Sequence, residues 1–205
     1  MTRPDVDATS EALATARMAA HLDVPGLTLR TVSDADGPAL TALIGAAYDE
    51  FACGPMDPGG FDADLDRPAT HAARRGRRWW VVTRTATRAS TPGAVVASVR
   101  HSPLDERGIV ELQRLYLAPQ VRGIDLAHAL VAGVADEARL AGAHLLEAWS
   151  DTRLVRAHAR YLTLGFVLAT GTRELHDPAK TTEVRFTLHL SNHPERTDRA
   201  TEART

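Results

Sequence analysis

The chain has 205 residues, 44% of them hydrophobic, and a formal net charge of −2. That is enough for one domain with a sizeable core and polar tails. The slightly acidic balance excludes a nucleic-acid surface as its main business, and no apolar run reaches the length of a membrane span. Cys53 is the only cysteine, which excludes an internal disulfide and fits a reducing cytoplasm. The N-terminus lacks the basic-then-apolar pattern of a secretory signal. Lys180 is the only lysine in a chain rich in Arg and Ala, a bias that suggests a GC-rich bacterial genome.

In chain order, residues 1–26 read as an Ala-rich extension, with a helix expected over 10–22 and Ala14, Met18 and Leu22 on one face. The main domain is expected over residues 27–190. Residues 27–32 alternate as a strand, Ser33-Asp-Ala-Asp signals a helix start, and residues 38–51 follow as a helix. A Gly- and Pro-rich loop spans 52–60, and a weaker helix, interrupted by Pro68, spans 61–74. Strands are expected at 79–84, 94–101 and 109–117, the first two joined by a polar turn containing Pro92-Gly93. The third carries an irregularity: Val110 and Leu112 set one apolar phase, Leu115 and Leu117 the other. An extra residue near Gln113 and Arg114, a β-bulge, would bring all four onto one face.

Residues 124–141 form the strongest helix pattern, with Leu126, Leu130, Val134 and Ala138 as a stripe that Ala127, Val131 and Ala135 widen. Gly142 is placed to end it. A strand at 144–149 leads to a helix that Asp151 or Thr152 can cap and that Gly165 stops. Strands at 166–170 and 183–190 complete the domain, and the polar residues 191–205 read as a disordered tail.

The stretch between Glu111 and Ala127 carries the strongest functional signal. An apolar strand runs into a turn holding Arg122 and Gly123, and a long helix follows at once. Such a helix start presents unpaired backbone N–H groups and a positive dipole end, a combination that binds phosphate. Asp125 lies in that first turn, where a carboxylate can satisfy the same N–H groups itself. The segment Gln120-Val121-Arg122-Gly123-Ile124-Asp125 resembles the pyrophosphate loop of the GNAT acyltransferases, Gln/Arg-x-x-Gly-x-Gly/Ala. Ala157-His-Ala-Arg-Tyr161-Leu-Thr-Leu-Gly165-Phe166 is similar to that family's Ala-x-x-x-Tyr-x-x-x-Gly-Phe, and the element order agrees over the whole core. Two positions depart from the pattern: Asp125 replaces Gly or Ala, and Leu154 replaces an Asn seven residues before the tyrosine.

The resemblance implies an α/β GNAT fold, with a mixed, mostly antiparallel sheet of about seven strands flanked by about four helices. It implies an N-acetyltransferase moving the acetyl group of acetyl-CoA to an amine of a small molecule by direct transfer. The cofactor would lie in a gap beside the bulged strand, its thioester on backbone groups of Leu115, Tyr116 and Leu117. Its pyrophosphate would lie on the loop and first turn formed by Gln120, Val121, Arg122, Gly123, Ile124, Asp125, Leu126 and Ala127. Glu111 would take the acceptor's proton, and Tyr161 would protonate the departing thiolate; a phenol suits this, its pKa of about 10 lying above that of a thiol. Read from the residues alone, Glu111 could instead be a strand glutamate paired with Arg114, and Tyr161 a core aromatic. Tyr48, Phe51 and Met56 are candidate walls of the acceptor site, and a homodimer is implied. No metal is implied. Asp125 and Leu154 favour the alternative, a member repurposed for other chemistry or lapsed into a binding module.

The remaining chemistry-bearing residues read as structural. Cys53 has no His placed beside it to make it a nucleophile. The run from His71 to Arg78 reads as a solvated helix end. His189 and His193 have helical ligand spacing where no helix is expected.

Overall fold

The computed structural model describes residues 4–85 and 93–190. The expected tail and most of the turn before Gly93 lie outside the described residues. The elements are α1 (Pro4–Ala20), β1 (Leu27–Thr31), α2 (Gly37–Phe51), α3 (Pro68–Arg74), β2 (Arg78–Arg84), β3 (Val95–His101), β4 (Ile109–Leu117), α4 (Leu126–Leu140), β5 (Leu145–Asp151), α5 (Val155–Thr163), β6 (Val167–Glu174) and β7 (Thr182–His189). One seven-stranded sheet has the order β1-β2-β3-β4-β5-β7-β6. Every neighbouring pair is antiparallel except β4 and β5, which run parallel.

Helices cover both faces. Trp79 and Val81 of β2 pack into the core under α2 and α3, while Trp80 and Val82 face the core shared with α1 and α4. A strand buried on both faces reads as a continuous apolar run, which is what Trp79-Trp80-Val81-Val82 is. Each indole N–H has a partner: Trp79 donates to Ser98 Oγ (2.8 Å) and Trp80 to Thr15 Oγ1 (3.0 Å).

The stripe on α4 is buried along its length, with Leu126, Leu130, Val134 and Ala138 at most 1% exposed. Gly142 follows at φ +91°, and the N–H groups of Gly142 and Ala143 donate to Arg139 and Ala138 carbonyls. That is a Schellman ending, and it needs the left-handed conformation glycine adopts freely. The N-terminal helix begins earlier than the sequence pattern predicts, at Pro4, and its partner is α4. Ala14 and Met18 are buried in the core, Met18 sits against Gly133, and Glu137 of α4 takes both Arg17 (2.5 Å) and Arg78 (3.0 Å). Arg78 is therefore held beneath α1 and does not belong to a solvated helix end.

Two local expectations are corrected. The segment 61–74 divides into a short turn of helix (Ala63–Leu65) and α3, because Pro68 opens a new helix and does not extend an old one. Neither Asp151 nor Thr152 caps α5; Leu154 holds that position, and the Asp151 carboxylate instead accepts the Arg153 N–H (2.9 Å) and the Arg153 guanidinium.

Candidate active site

The site is built on an interruption of the sheet. Between β3 and β4 the register runs Ser98↔Tyr116 and then Arg100↔Gln113, so Arg114 and Leu115 together face Val99. Arg114 has φ +50°. This is the bulge the apolar phases call for. Between β4 and β5 the parallel ladder stops at Leu112↔Ala148. From Gln113 onward β4 leaves β5, and a gap opens.

Ala118 N–H donates to Val96 O of β3 (2.8 Å). Strand alternation then turns Tyr116 N–H toward β3 and the N–H groups of Leu115 and Leu117 into the gap. Of the three candidate backbone donors, two therefore face the cofactor side. Arg122 Nε covers the Leu117 carbonyl (3.0 Å) and ties the loop to the strand end.

At the mouth of the gap stands the N-terminus of α4. The first hydrogen bond into the helix is Ala129 N–H to Asp125 O (3.0 Å), and the amides from Gly123 to His128 find no acceptor among the described residues. Asp125 does not cap them. Its backbone is left-handed (φ 55°, ψ 9°), its side chain makes no cap hydrogen bond and is 88% exposed, and its nearest cation is Arg160 at 3.4 Å. The left-handed position explains the family's small residue, and Asp tolerates it better than most residues with a Cβ. The amides at this helix start therefore stay open. Gln120 and Ile124 are exposed on the loop, whereas Val121, Leu126 and Ala127 are buried behind it.

A cavity of about 290 Å³ extends from this mouth along Leu115, Tyr116 and Leu117 to Leu154 and Tyr161. Arg122, Arg156 and Arg160 stand around it, with Glu50 bridging Arg122 (2.8 Å) and Arg156 (3.2 Å). An apolar trough ending in unpaired amides and guanidiniums suits a pantetheine arm and a pyrophosphate. Phe51 lines this cavity, under Arg156 at 5.9 Å.

A second cavity, about 120 Å³, lies on the other side of the gap. It shares Leu115, Tyr116, Leu154, Ala157 and Tyr161 with the first. Its remaining walls include Tyr48, Cys53, Trp149 and the carboxylates Asp57, Asp62, Asp151, Asp177 and Glu183, against the single cation Arg114. Met56 lines neither cavity; its sulfur packs against Gly45 beside a separate recess. The Cys53 thiol is buried and pushed up to about 11 by that burial, so it is no nucleophile at neutral pH.

Tyr161 joins the two cavities. It is 8% exposed, its ring is 5.2 Å from both Phe166 and Phe186, and its hydroxyl has no hydrogen-bond partner among the described residues. Burial pushes its pKa above that of a free phenol, which keeps the proton on oxygen.

Glu111 does not border either cavity. Gln113 donates to it (2.9 Å) and Arg173 reaches it at 3.3 Å, while Arg114 is engaged elsewhere, on Asp62 (2.8 Å) and Asp64 (2.6 Å). The same Arg173 also binds Glu183 (2.5 Å) and lies 4.7 Å over the Trp149 ring. Trp149, Asp151, Glu183, Arg156 and Arg160 escaped sequence reasoning. For Trp149, Asp151 and Glu183 the signal is the β5/β7 register, Asp151↔Glu183, which no local pattern encodes. Among the described residues no group of three His, Cys, Asp or Glu is arranged to hold a metal ion, and no helix is long and apolar enough to cross a membrane.

A bulged fourth strand parting from the fifth, with open amides at the next helix, is the arrangement that the resemblance to GNAT acyltransferases implies. The model of the acetyltransferase (GNAT) family matches residues 46–166, more than half of the chain. The chain belongs to this family of enzymes, whose cofactor is acetyl-CoA. Solved structures agree in fold. A Salmonella typhimurium protein determined with its cofactor acetyl-CoA superposes with TM-score 0.57 at 20% identity, over 82% of this chain and 96% of that one. An acetyltransferase from Streptococcus agalactiae gives TM-score 0.66 at 15% identity (82% and 100%). A ribosomal-protein-alanine N-acetyltransferase from Brucella melitensis gives 0.56 at 22% (80% and 99%). Among curated proteins no sequence matches the chain.

Proposed function

We propose that this chain transfers the acetyl group of acetyl-CoA directly to the amine of a small molecule. The observation carrying the reading is that the two cavities share Tyr161 as a wall, one suited to the cofactor and the other small and acidic. An acidic recess of about 120 Å³ favours a compact cationic amine. When bound, acetyl-CoA supplies a thioester whose carbonyl carbon is open to attack by an amine. Leu115 and Leu117 N–H groups are placed to hold and polarise a carbonyl oxygen there. The amides from Gly123 to His128, with Arg122, would hold the pyrophosphate. Tyr161 gives its hydroxyl proton to the departing sulfur and, as phenolate, takes one from the acylated nitrogen. The acceptor's first proton goes to the carboxylate cluster that Arg173 ties together, Glu111 and Glu183.

Replacing Tyr161 by Phe is the matching test. Turnover should fall about 10²-fold, the ordinary contribution of a general acid. Stabilisation by CoA and the melting temperature of the free protein should hardly change, since the hydroxyl has no partner to lose. An unchanged rate on an acetylated amine would return Tyr161 to a packing role.

The rival reading, a repurposed or lapsed site, rests on Asp125 and Leu154; the outward turn of the Asp125 carboxylate removes much of its support. We further assign residues 27–190 as the catalytic domain, 1–26 as an extension whose helix α1 braces α4, and a bacterial cytoplasm as the setting, in keeping with the single thiol. A homodimer through edge strand β6 is favoured by Val167 and Leu168, 55% and 60% exposed.

A further inference from the structure

We infer that Glu183, rather than Glu111, takes the proton from the acceptor's ammonium group, and that Glu111 acts as a positioning residue by holding Arg173. The inference rests on the amine-acetylating reading above. Its ground is geometric. Glu183 borders the small acidic cavity that holds Tyr161, and Glu111 does not. One Glu183 oxygen, Oε2, accepts from Arg173 Nε (2.5 Å); the other, Oε1, has no partner among the described residues. The same cavity is lined by Tyr161, a residue 8% exposed whose hydroxyl has no partner among the described residues. A free carboxylate oxygen and a free phenol facing one cavity are the two proton carriers that amine acylation needs.

In the step, an N–H bond of the ammonium breaks and its electron pair stays on nitrogen as the attacking lone pair. The proton bonds to Glu183 Oε1 and passes on to solvent. The charged and titratable groups around Glu183 are Arg173 on β6, Glu111 on β4, Asp151 on β5 and Tyr161 on α5. Burial raises the Glu183 carboxyl above its ordinary value; the Arg173 hydrogen bond and charge oppose this, and Glu111 and Asp151 add to it. A raised carboxyl is a stronger base for an ammonium ion. Glu111 shares Arg173 with Glu183, so it sets where that guanidinium stands and how much of it Glu183 receives, and its charge also acts on Glu183 directly.

The test uses the full chain saturated with CoA and 1,4-diaminobutane as the probe amine, with butan-1-ol as its neutral counterpart. Calorimetry should show the diamine bound and the alcohol not. Diamine affinity should fall as pH drops through the raised Glu183 range, because only the carboxylate attracts an ammonium. Glu183→Gln should weaken diamine binding at least tenfold and flatten that pH dependence. Its turnover with acetyl-CoA should fall about 10²-fold. Stabilisation by CoA should persist in this variant, which shows that the fold and cofactor site are intact. Glu111→Gln should keep the pH limb but move it to lower pH, since a charge that raises the Glu183 carboxyl is gone. Wild-type binding and rate in Glu183→Gln, or a larger loss with a vanished limb in Glu111→Gln, overturns the assignment. A wild-type protein that CoA stabilises but that takes up no diamine overturns the cationic-amine acceptor and Glu183 with it. Failure of CoA itself to bind would instead locate the fault in the acetyltransferase reading.

Discussion

Asp125 carries a charge into the loop proposed to receive the phosphates, yet the backbone there is left-handed and the carboxylate leans toward Arg160. Two effects follow for Asp125→Gly. Relief of the left-handed backbone contributes about 1 kcal/mol, and the greater unfolded-state freedom of Gly costs about 0.5–1 kcal/mol. The melting temperature should therefore stay nearly constant, against the loss that a capping carboxylate would give. Removal of the charge should tighten CoA about three- to tenfold, less at high salt because the side chain is exposed. Calorimetry of both proteins at two ionic strengths checks this; weaker binding in the glycine variant would make Asp125 a working residue of some other chemistry. At this scale the sequence made the motif residues visible but not their directions. Tyr116 shares a candidate triplet with Leu115 and Leu117, and only alternation against β3 shows that its N–H points the other way.

The bulge of β4 is the element that makes the site, and Arg114 locks it. Its buried guanidinium binds Asp62 (2.8 Å), Asp64 (2.6 Å) and the Phe61 carbonyl (2.9 Å), fastening the segment after α2 beside the smaller cavity. Arg100 also binds Asp64. Arg114→Ala would leave two buried carboxylates short of a partner, at a cost of about 3–5 kcal/mol. Burial pushes the Asp64 carboxyl up, and Arg114 and Arg100 together pull it below its ordinary value. Its folded value is thus depressed, so the stability it contributes is present above the unfolded carboxyl pKa and is lost as pH falls through the folded one. Urea melts from pH 7 down into the acid range should show that loss in wild type and a smaller one in Arg114→Ala; equal acid sensitivity in both would contradict the lock. The bulge itself was legible, because the apolar phase of Val110 and Leu112 breaks before Leu115 and Leu117. The Arg114 partners were not, since they come from a loop some fifty residues earlier whose path follows no period.

For the molecule as a whole, the order of strands and helices could be read from periodicity, and α4 nearly to its ends, because its stripe is buried along its whole length. Sheet order is a different matter. That β7 lies between β5 and β6 is set by long-range pairing, and that pairing places Glu183 beside Asp151 and within reach of Arg173. The partner of the N-terminal helix was hidden for the same reason, although its Ala14 and Met18 face was plain. The parting of β4 from β5 gives these pieces a common purpose: a trough for a cofactor on one side, a small acidic recess on the other, and Tyr161 between them. The most direct test of that account is a calorimetric titration of the full chain with acetyl-CoA at neutral pH. The account predicts saturable binding at one site in the micromolar range, about −8 kcal/mol at 1 μM, with a matching rise in melting temperature. An absence of heat and of thermal stabilisation at millimolar acetyl-CoA would contradict it.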